Sequence, residues 1–77
     1  MKEKILEILS EIRPEFDFEN STDFIGEGML DSFDIVSLVA SLDEEFGISI
    51  DGTEILPENF SDVDSIYHLL IKNGVTK

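Results

Sequence analysis

The sequence contains no cysteine and only one histidine, His68. Without thiols the chain can form no disulfide, no thiolate metal site and no cysteine nucleophile. A single histidine without thiolate neighbours also excludes an ordinary zinc site. No apolar run approaches the roughly 20 residues that a membrane span needs, and the first residues lack the apolar region of a signal peptide. We therefore expect a soluble, cytoplasmic protein without membrane insertion.

Basic residues are few, since five Lys and Arg stand against 18 Asp and Glu for a net charge of −13. No Lys or Arg occurs between Arg13 and Lys72, whereas 15 of the 18 acids do. Such a surface repels phosphate backbones and anionic lipid, which makes nucleic acid and membranes poor partners. It attracts basic protein surfaces, although charge can also serve solubility alone. The same repulsion predicts a marginal stability that improves with salt.

The 77 residues predict one domain with two well-defined amphipathic helices in its first two thirds. The first is Lys2–Arg13, whose positively charged end suits the helix dipole and which Pro14 ends. The second is Asp31–Phe46, which Gly47 ends. The long segment 15–30 between them has no clear period, and its apolar residues indicate a loop that lies on the core.

The remainder of the chain predicts one short helical turn and a third helix. Residues 56–60 allow a single turn with Pro57 at its first position. Ser61 with Asp64 resembles a capping box for the third helix, whose core face is Val63, Ile66, Tyr67 and Leu70. The expected fold is all-α: a small bundle of three main helices plus one short turn, with a long first loop.

A second apolar row runs along the second helix beside its core stripe. The core stripe consists of Ile35, Leu38, Val39, Leu42 and Phe46. The second row, set among acids and serines, consists of Phe33, Val36 and Ala40. Two interpretations are open: the row packs against the long loop, or it is an exposed apolar strip in an acidic frame, as in a partner-binding face.

Ser32 lies at the start of the second helix, beside Asp31 and close to Asp34. A serine in such a position usually caps the helix. Here Asp31 can already serve as the N-cap, so Ser32 falls at the first helical position with its hydroxyl free to point outward. A helix N-terminus favours an attached phosphate. The two aspartates oppose one, and suit better a role as handles for a basic modifying enzyme or its metal ion. We interpret Ser32 as a covalent attachment point.

Other chemistry has little support in the residues. A hydrolytic site from Ser32, His68 and an aspartate would need a shaped cleft and oxyanion donors, for which a small helical domain has little material. Asp62-x-Asp64 lacks the remaining ligands of an EF-hand loop, and residues 26–31 lack the third glycine of the dinucleotide-binding fingerprint. We expect no catalytic residues and no metal ligands.

The residues around Ser32 resemble the prosthetic-group region of acyl carrier proteins. The pattern LDSFD at 30–34 is followed down the helix by apolar positions and by the acidic stretch DEEFGI at 43–48. The pattern ENFSDV at 58–63 resembles the lead into the last helix of that family. The resemblance covers most of the chain, including the short first helix and the long first loop.

On this resemblance, Ser32 carries covalent 4′-phosphopantetheine taken from coenzyme A by a separate phosphopantetheinyl transferase that uses magnesium. The thiol of the arm holds an acyl or aminoacyl group as a thioester, and the protein itself is not an enzyme. The expected partners are the transferase and the loading and synthase enzymes, which carry basic docking surfaces, and the chain is expected to be a monomer. The partner-recognition residues would be Asp31, Phe33, Asp34, Val36, Ala40, Asp43 and Glu44.

Two positions depart from the usual fatty-acid carrier pattern. Phe33 follows the serine where leucine is usual, and Ser37 stands where an acid is common. The Phe variant and the Asn59-Phe60 pair are similar to free-standing peptidyl and D-alanyl carrier proteins. The cargo therefore stays open among fatty acyl, polyketide, amino acid and D-alanine. The alternative function is an unmodified acidic helical domain that binds a basic protein.

Overall fold

The computed structural model describes residues 2–75, which form three α-helices and two short 3-10 turns. The helices are α1, Lys2–Ile12; α2, Ser32–Phe46; and α3, Val63–Lys72. The 3-10 turns, Gly52–Glu54 and Pro57–Phe60, lie between α2 and α3. The described residues contain no strand, and none of their helices is long and apolar enough to cross a membrane. The predicted all-α fold with three main helices is confirmed.

The ends of α1 and α2 agree with the sequence signals to within one residue. The first helix ends at Ile12, one residue before the predicted end, and Pro14 follows shortly. The second is capped by Asp31 and ends at Gly47, whose left-handed φ of 66° suits a residue without a side chain. Pro57 opens its turn as predicted.

The turn Gly52–Glu54 is an addition to the predicted elements. The side chain of Asp51 accepts the backbone N–H of Thr53 at 2.8 Å and its hydroxyl at 2.8 Å. This local capping by an aspartate is enough to bend three residues into a 3-10 turn. A turn of three residues is too short to show an apolar period, so the sequence pattern does not predict it.

The start of α3 differs from the prediction. Asp62 is the N-cap, and its Oδ1 accepts the N–H of Ser65 at 2.7 Å. The predicted capping box of Ser61 and Asp64 is therefore wrong. The Ser61 hydroxyl instead donates to the Glu58 carbonyl at 3.3 Å. An aspartate competes well with serine for an N-cap, because its charge also suits the positive end of the helix.

One apolar core joins the three helices and the first loop. Its helical members are Ile5, Ile8 and Leu9 of α1, Ile35, Leu38, Val39 and Leu42 of α2, and Ile66, Leu69 and Leu70 of α3. Each predicted stripe faces this core, with two differences. Leu69 joins the buried face of α3, and three predicted members are only half-buried: Phe46, Val63 and Tyr67.

The first loop lies on the core, as its apolar residues predict. Phe18 and Phe24 are buried, and their rings meet edge to face with 5.0 Å between centroids. The Phe24 carbonyl accepts the N–H groups of Met29 at 2.8 Å and Leu30 at 3.3 Å, while its own N–H donates to the Ser61 carbonyl at 2.7 Å. The end of the loop is therefore fixed against the core immediately before α2.

Candidate functional site

Residues 31–34, which we call the serine turn, form the start of α2. The Asp31 carboxylate accepts the N–H of Asp34 at 2.9 Å, and Asp34 Oδ2 accepts the N–H of Asp31 at 3.1 Å. This is a reciprocal capping box in which both acids are aspartates. Both capping roles are thereby filled, and Ser32 occupies the first helical position in an exposed environment. The predicted assignment of Asp31 as cap and Ser32 as an exposed residue is confirmed; the capping role of Asp34 is an addition.

Arg13 reaches the serine turn from the end of α1. Its Nε donates to Asp34 Oδ2 at 2.9 Å, and its Nη2 lies 2.8 Å from the same oxygen and 3.6 Å from Asp31 Oδ2. Its Nη1 contacts Glu15 at 3.4 Å. The sequence pattern assigned Arg13 only to the helix dipole. The signal that could have revealed more is that this is the sole arginine in a chain with 18 acids.

Asp34 is the most enclosed carboxylate of the serine turn. Its side chain is 13% exposed, against 64% for Asp31. The hydrogen bond from Arg13 is the main cause that lowers the pKa of Asp34; burial opposes this shift, and the N–H of Asp31 supports it. Asp34 is therefore ionised at neutral pH, and its carboxylate contacts Arg13 more than it contacts solvent.

The second apolar row of α2 is exposed. Phe33 is 82% exposed and Val36 60%, and Ala40 lies in the exposed class as well. A helix turns about 100° per residue, which places this row on the side opposite the buried stripe. The interpretation that the row packs against the first loop is therefore wrong. We call the surface formed by Phe33, Val36, Ala40, Asp43 and Glu44 the α2 face.

The acids predicted for partner recognition differ in what they contact. Asp31 and Glu44 are exposed. Asp43 is half-buried, and its Oδ1 accepts the N–H of Ile50 at 3.0 Å, which holds the chain that follows α2. Asp34 is held by Arg13. The structure thus brings the seven predicted residues together along one side and the start of α2, and three of the four acids, Asp31, Asp34 and Asp43, also accept hydrogen bonds within the protein.

Ser32 is exposed and lines none of three shallow cavities of the described surface, which measure about 280, 220 and 240 Å³. His68, the possible base of a hydrolytic site, is exposed on α3 and lines the third cavity. No group of three His, Asp or Glu side chains within residues 2–75 is arranged to hold a metal ion. The serine turn presents an exposed hydroxyl at the start of a helix.

Residues 3–70 match the family model described as the phosphopantetheine attachment site. The chain belongs to this family. Domains of this family carry 4′-phosphopantetheine covalently on a serine and are generally non-catalytic. The resemblance to acyl carrier proteins is thereby confirmed. Neither the curated proteins nor the solved structures provide a match.

The serine turn fits the phosphopantetheine arm. A phosphate on an exposed serine at the first position of α2 would lie beside free backbone N–H groups and the positive end of the helix dipole. Asp31 and Asp34 would oppose that charge, but Arg13 contacts both carboxylates and offsets part of the repulsion. The α2 face continues from the same turn, so an enzyme that reaches the arm can also contact Phe33 and Val36.

Proposed function

We propose that the protein is a carrier whose phosphopantetheine arm is attached to Ser32 and holds an acyl or aminoacyl group as a thioester. The main support for this proposal is that Ser32 is exposed in a turn that Asp31 and Asp34 already cap, within a chain of the phosphopantetheine family. Among the helix starts of residues 2–75, only that of α2 is a serine. The protein supplies the surface that partner enzymes recognise and the attachment point of the arm, and the thiol of the arm supplies the nucleophile.

Attachment requires a separate phosphopantetheinyl transferase with coenzyme A and magnesium. The Ser32 oxygen forms a bond to the phosphorus that bears the pantetheine, and the bond from that phosphorus to adenosine 3′,5′-bisphosphate breaks. The hydroxyl proton passes to the transferase. The carrier contributes an accessible hydroxyl on a fixed turn and no catalytic group of its own.

The α2 face with Asp31 and Asp34 is the proposed partner-recognition surface. Phe33 and Val36 offer a small apolar contact, and exposed Asp31 and Glu44 offer charge to enzymes with basic docking surfaces. A few apolar side chains among charges are typical of transient complexes, in which charge speeds encounter and a small apolar area keeps docking reversible. The partners are the transferase and the loading and synthase enzymes, served by a monomeric, cytoplasmic carrier.

The attachment is tested by incubating the purified chain with coenzyme A, magnesium and a broad-specificity phosphopantetheinyl transferase, followed by intact mass measurement. We expect a gain of one phosphopantetheine, which Ser32→Ala abolishes. Ser37→Ala is the matched control, because Ser37 is an exposed serine of the same helix and should leave the gain unchanged. No gain would favour the unmodified acidic interaction domain, and a gain that survives Ser32→Ala would refute attachment at Ser32.

The recognition surface is tested by the salt dependence of the same reaction. Glu44→Gln should raise the KM of the transferase for the carrier, with most of the difference lost at high ionic strength. Glu58→Gln is the matched control, because it removes the same charge from an exposed position outside the α2 face. An equal effect of the two variants would show that only net charge matters.

A further inference from the structure

Two sets of contacts fix the serine turn to the rest of the fold. The backbone of Phe24 holds the end of the first loop, through the N–H groups of Met29 and Leu30. Arg13 holds the carboxylates that cap α2. The first set fixes where the loop ends, whereas the second acts on the turn that contains Ser32.

The contact of Arg13 with Asp34 converges on one oxygen. Asp34 Oδ2 lies 2.9 Å from Arg13 Nε, 2.8 Å from Arg13 Nη2 and 3.1 Å from the N–H of Asp31. The oxygen that completes the capping box is therefore the same oxygen that binds the guanidinium. Only arginine presents two N–H groups in a fixed fork of this kind, whereas lysine offers a single point charge.

The base of the fork is itself well held. The backbone N–H of Arg13 donates to the Leu9 carbonyl at 2.9 Å, so the backbone continues the hydrogen-bonding pattern of α1. The Arg13 side chain is 34% exposed. A partly covered guanidinium on a rigid backbone loses less freedom on binding than one on a mobile segment.

Without this guanidinium the serine turn would hold two carboxylates of like charge, and no other cation of residues 2–75 contacts them. The Asp34 carboxylate would be better solvated if it turned toward water, and the N–H of Asp31 would then lose its acceptor. The first turn of a helix is the part that opens most readily when its caps are lost. The orientation of the Ser32 hydroxyl depends on that turn.

We propose that Arg13 is a positioning residue for the modification of Ser32: its fork on Asp34 and its contact with Asp31 hold the serine turn in the geometry that presents the hydroxyl. The proposal rests on the proposed attachment at Ser32. In this proposal Asp34 serves mainly to bind Arg13. Asp31 and Glu44 are then the exposed carboxylates that a basic partner contacts first.

The matched control for Arg13→Gln is Lys2→Gln. Lys2 lies 2.6 Å from Asp64 in an ion pair between the starts of α1 and α3, away from the serine turn. Both substitutions remove one positive charge and an ion pair with an aspartate of another helix, which is Asp34 of α2 for Arg13 and Asp64 of α3 for Lys2. A difference between them therefore reports on the location of Arg13 and not on net charge.

The first measurement is amide hydrogen exchange of the apo chain by NMR. Arg13→Gln should speed exchange at Asp31 and Asp34 by about tenfold, with little change at Ser65 in α3, because only the serine turn loses its support. Lys2→Gln should leave the two amides of the serine turn unchanged. Equal protection of Asp31 and Asp34 in the Arg13→Gln variant and wild type would overturn the proposal.

The second measurement is the single-turnover rate of phosphopantetheine transfer, with transferase in excess and all variants fully folded. We expect Arg13→Gln to lower the saturating rate roughly tenfold, less than the ~100-fold that a 1 Å misplacement can cause. The half-saturating concentration should stay equal or fall, because the variant is more acidic and a basic enzyme binds it no less well. A loss of folded protein alone would not lower the saturating rate while leaving the half-saturating concentration equal or lower.

Arg13→Lys keeps the charge without the fork and should restore the rate only partly, to within about threefold of wild type. This variant also carries the comparison if Arg13→Gln does not fold. A wild-type rate in Arg13→Gln, or an equal loss in Lys2→Gln, would overturn the proposal while leaving attachment at Ser32 intact. Modification that survives Ser32→Ala would instead refute the attachment, and the proposal with it.

Discussion

Two phenylalanines near the serine turn should respond in opposite ways to the same substitution. Phe24 is fully buried, with 0% exposure, whereas Phe33 is 82% exposed. Phe24→Ala should destabilise the domain strongly and Phe33→Ala should not. Phe33→Ala should instead weaken docking of the transferase, because it removes the largest apolar side chain of the α2 face.

The magnitudes follow from burial. Replacing a core phenylalanine by alanine costs about 3–5 kcal/mol. At roughly 0.05–0.15 kcal/mol per residue, 77 residues have a total stability of about 4–12 kcal/mol, and a small domain lies toward the lower end. Phe24→Ala should therefore remove most of the free energy of unfolding. Its ring also packs on Phe18, and that contact would be lost as well.

Phe33 contributes little to the free energy of unfolding. About a fifth of a side chain of ~200 Å² is covered, which at ~25 cal/mol per Å² amounts to about 1 kcal/mol at most. Alanine returns about half of this through its higher helix propensity. The expected change in the free energy of unfolding is therefore within about 0.5 kcal/mol.

The assay is urea unfolding followed by far-UV circular dichroism, with the slope against urea compared between variants. The KM of the transferase for each folded variant is measured in parallel. Equal destabilisation by the two substitutions would mean that Phe33 packs against the protein, and would refute the exposed α2 face. Wild-type stability together with wild-type KM in Phe33→Ala would remove Phe33 from the recognition surface.

Three further predictions concern charge and capping. Raising the ionic strength from about 0.01 to 0.15 M shortens the Debye length from ~30 to ~8 Å and should raise the melting temperature, because a chain of net charge −13 repels itself; an unchanged melting temperature would contradict this. The folded-state pKa of Asp34 lies below its unfolded value, so its contribution to stability is present above about pH 4 and lost as the pH falls further. The stability difference between wild type and Asp34→Asn should shrink correspondingly in acid, and a difference that grew there would reverse the sign. Finally, Asp62→Ala should cost about 1 kcal/mol in urea unfolding and Ser61→Ala less than about 0.5 kcal/mol, since Asp62 caps α3; the reverse order would restore the capping box predicted from the sequence.

The three helices, the cap of α2 and the family pattern around Ser32 can be predicted from the sequence alone. These features depend on neighbours within about four positions, and such neighbours repeat with the period of the helix. Asp31 and Gly47 mark the ends of α2 because an acceptor at one end and a left-handed residue at the other are local requirements. The cap of α3 was assigned wrongly because Ser61 and Asp62 are adjacent candidates, and the local pattern does not separate them.

The packing of the helices and the first loop, by contrast, sets which apolar row of α2 stays exposed to water and which acids Arg13 contacts. A second row such as Phe33 and Val36 is compatible with either exposure or packing until the path of the first loop is known. Arg13 and Asp34 are 21 positions apart, and their contact depends on how α1 packs beside the start of α2. Long-range charge pairing has no period in a sequence, because among 18 acids it is the packing of the backbone that selects the partner.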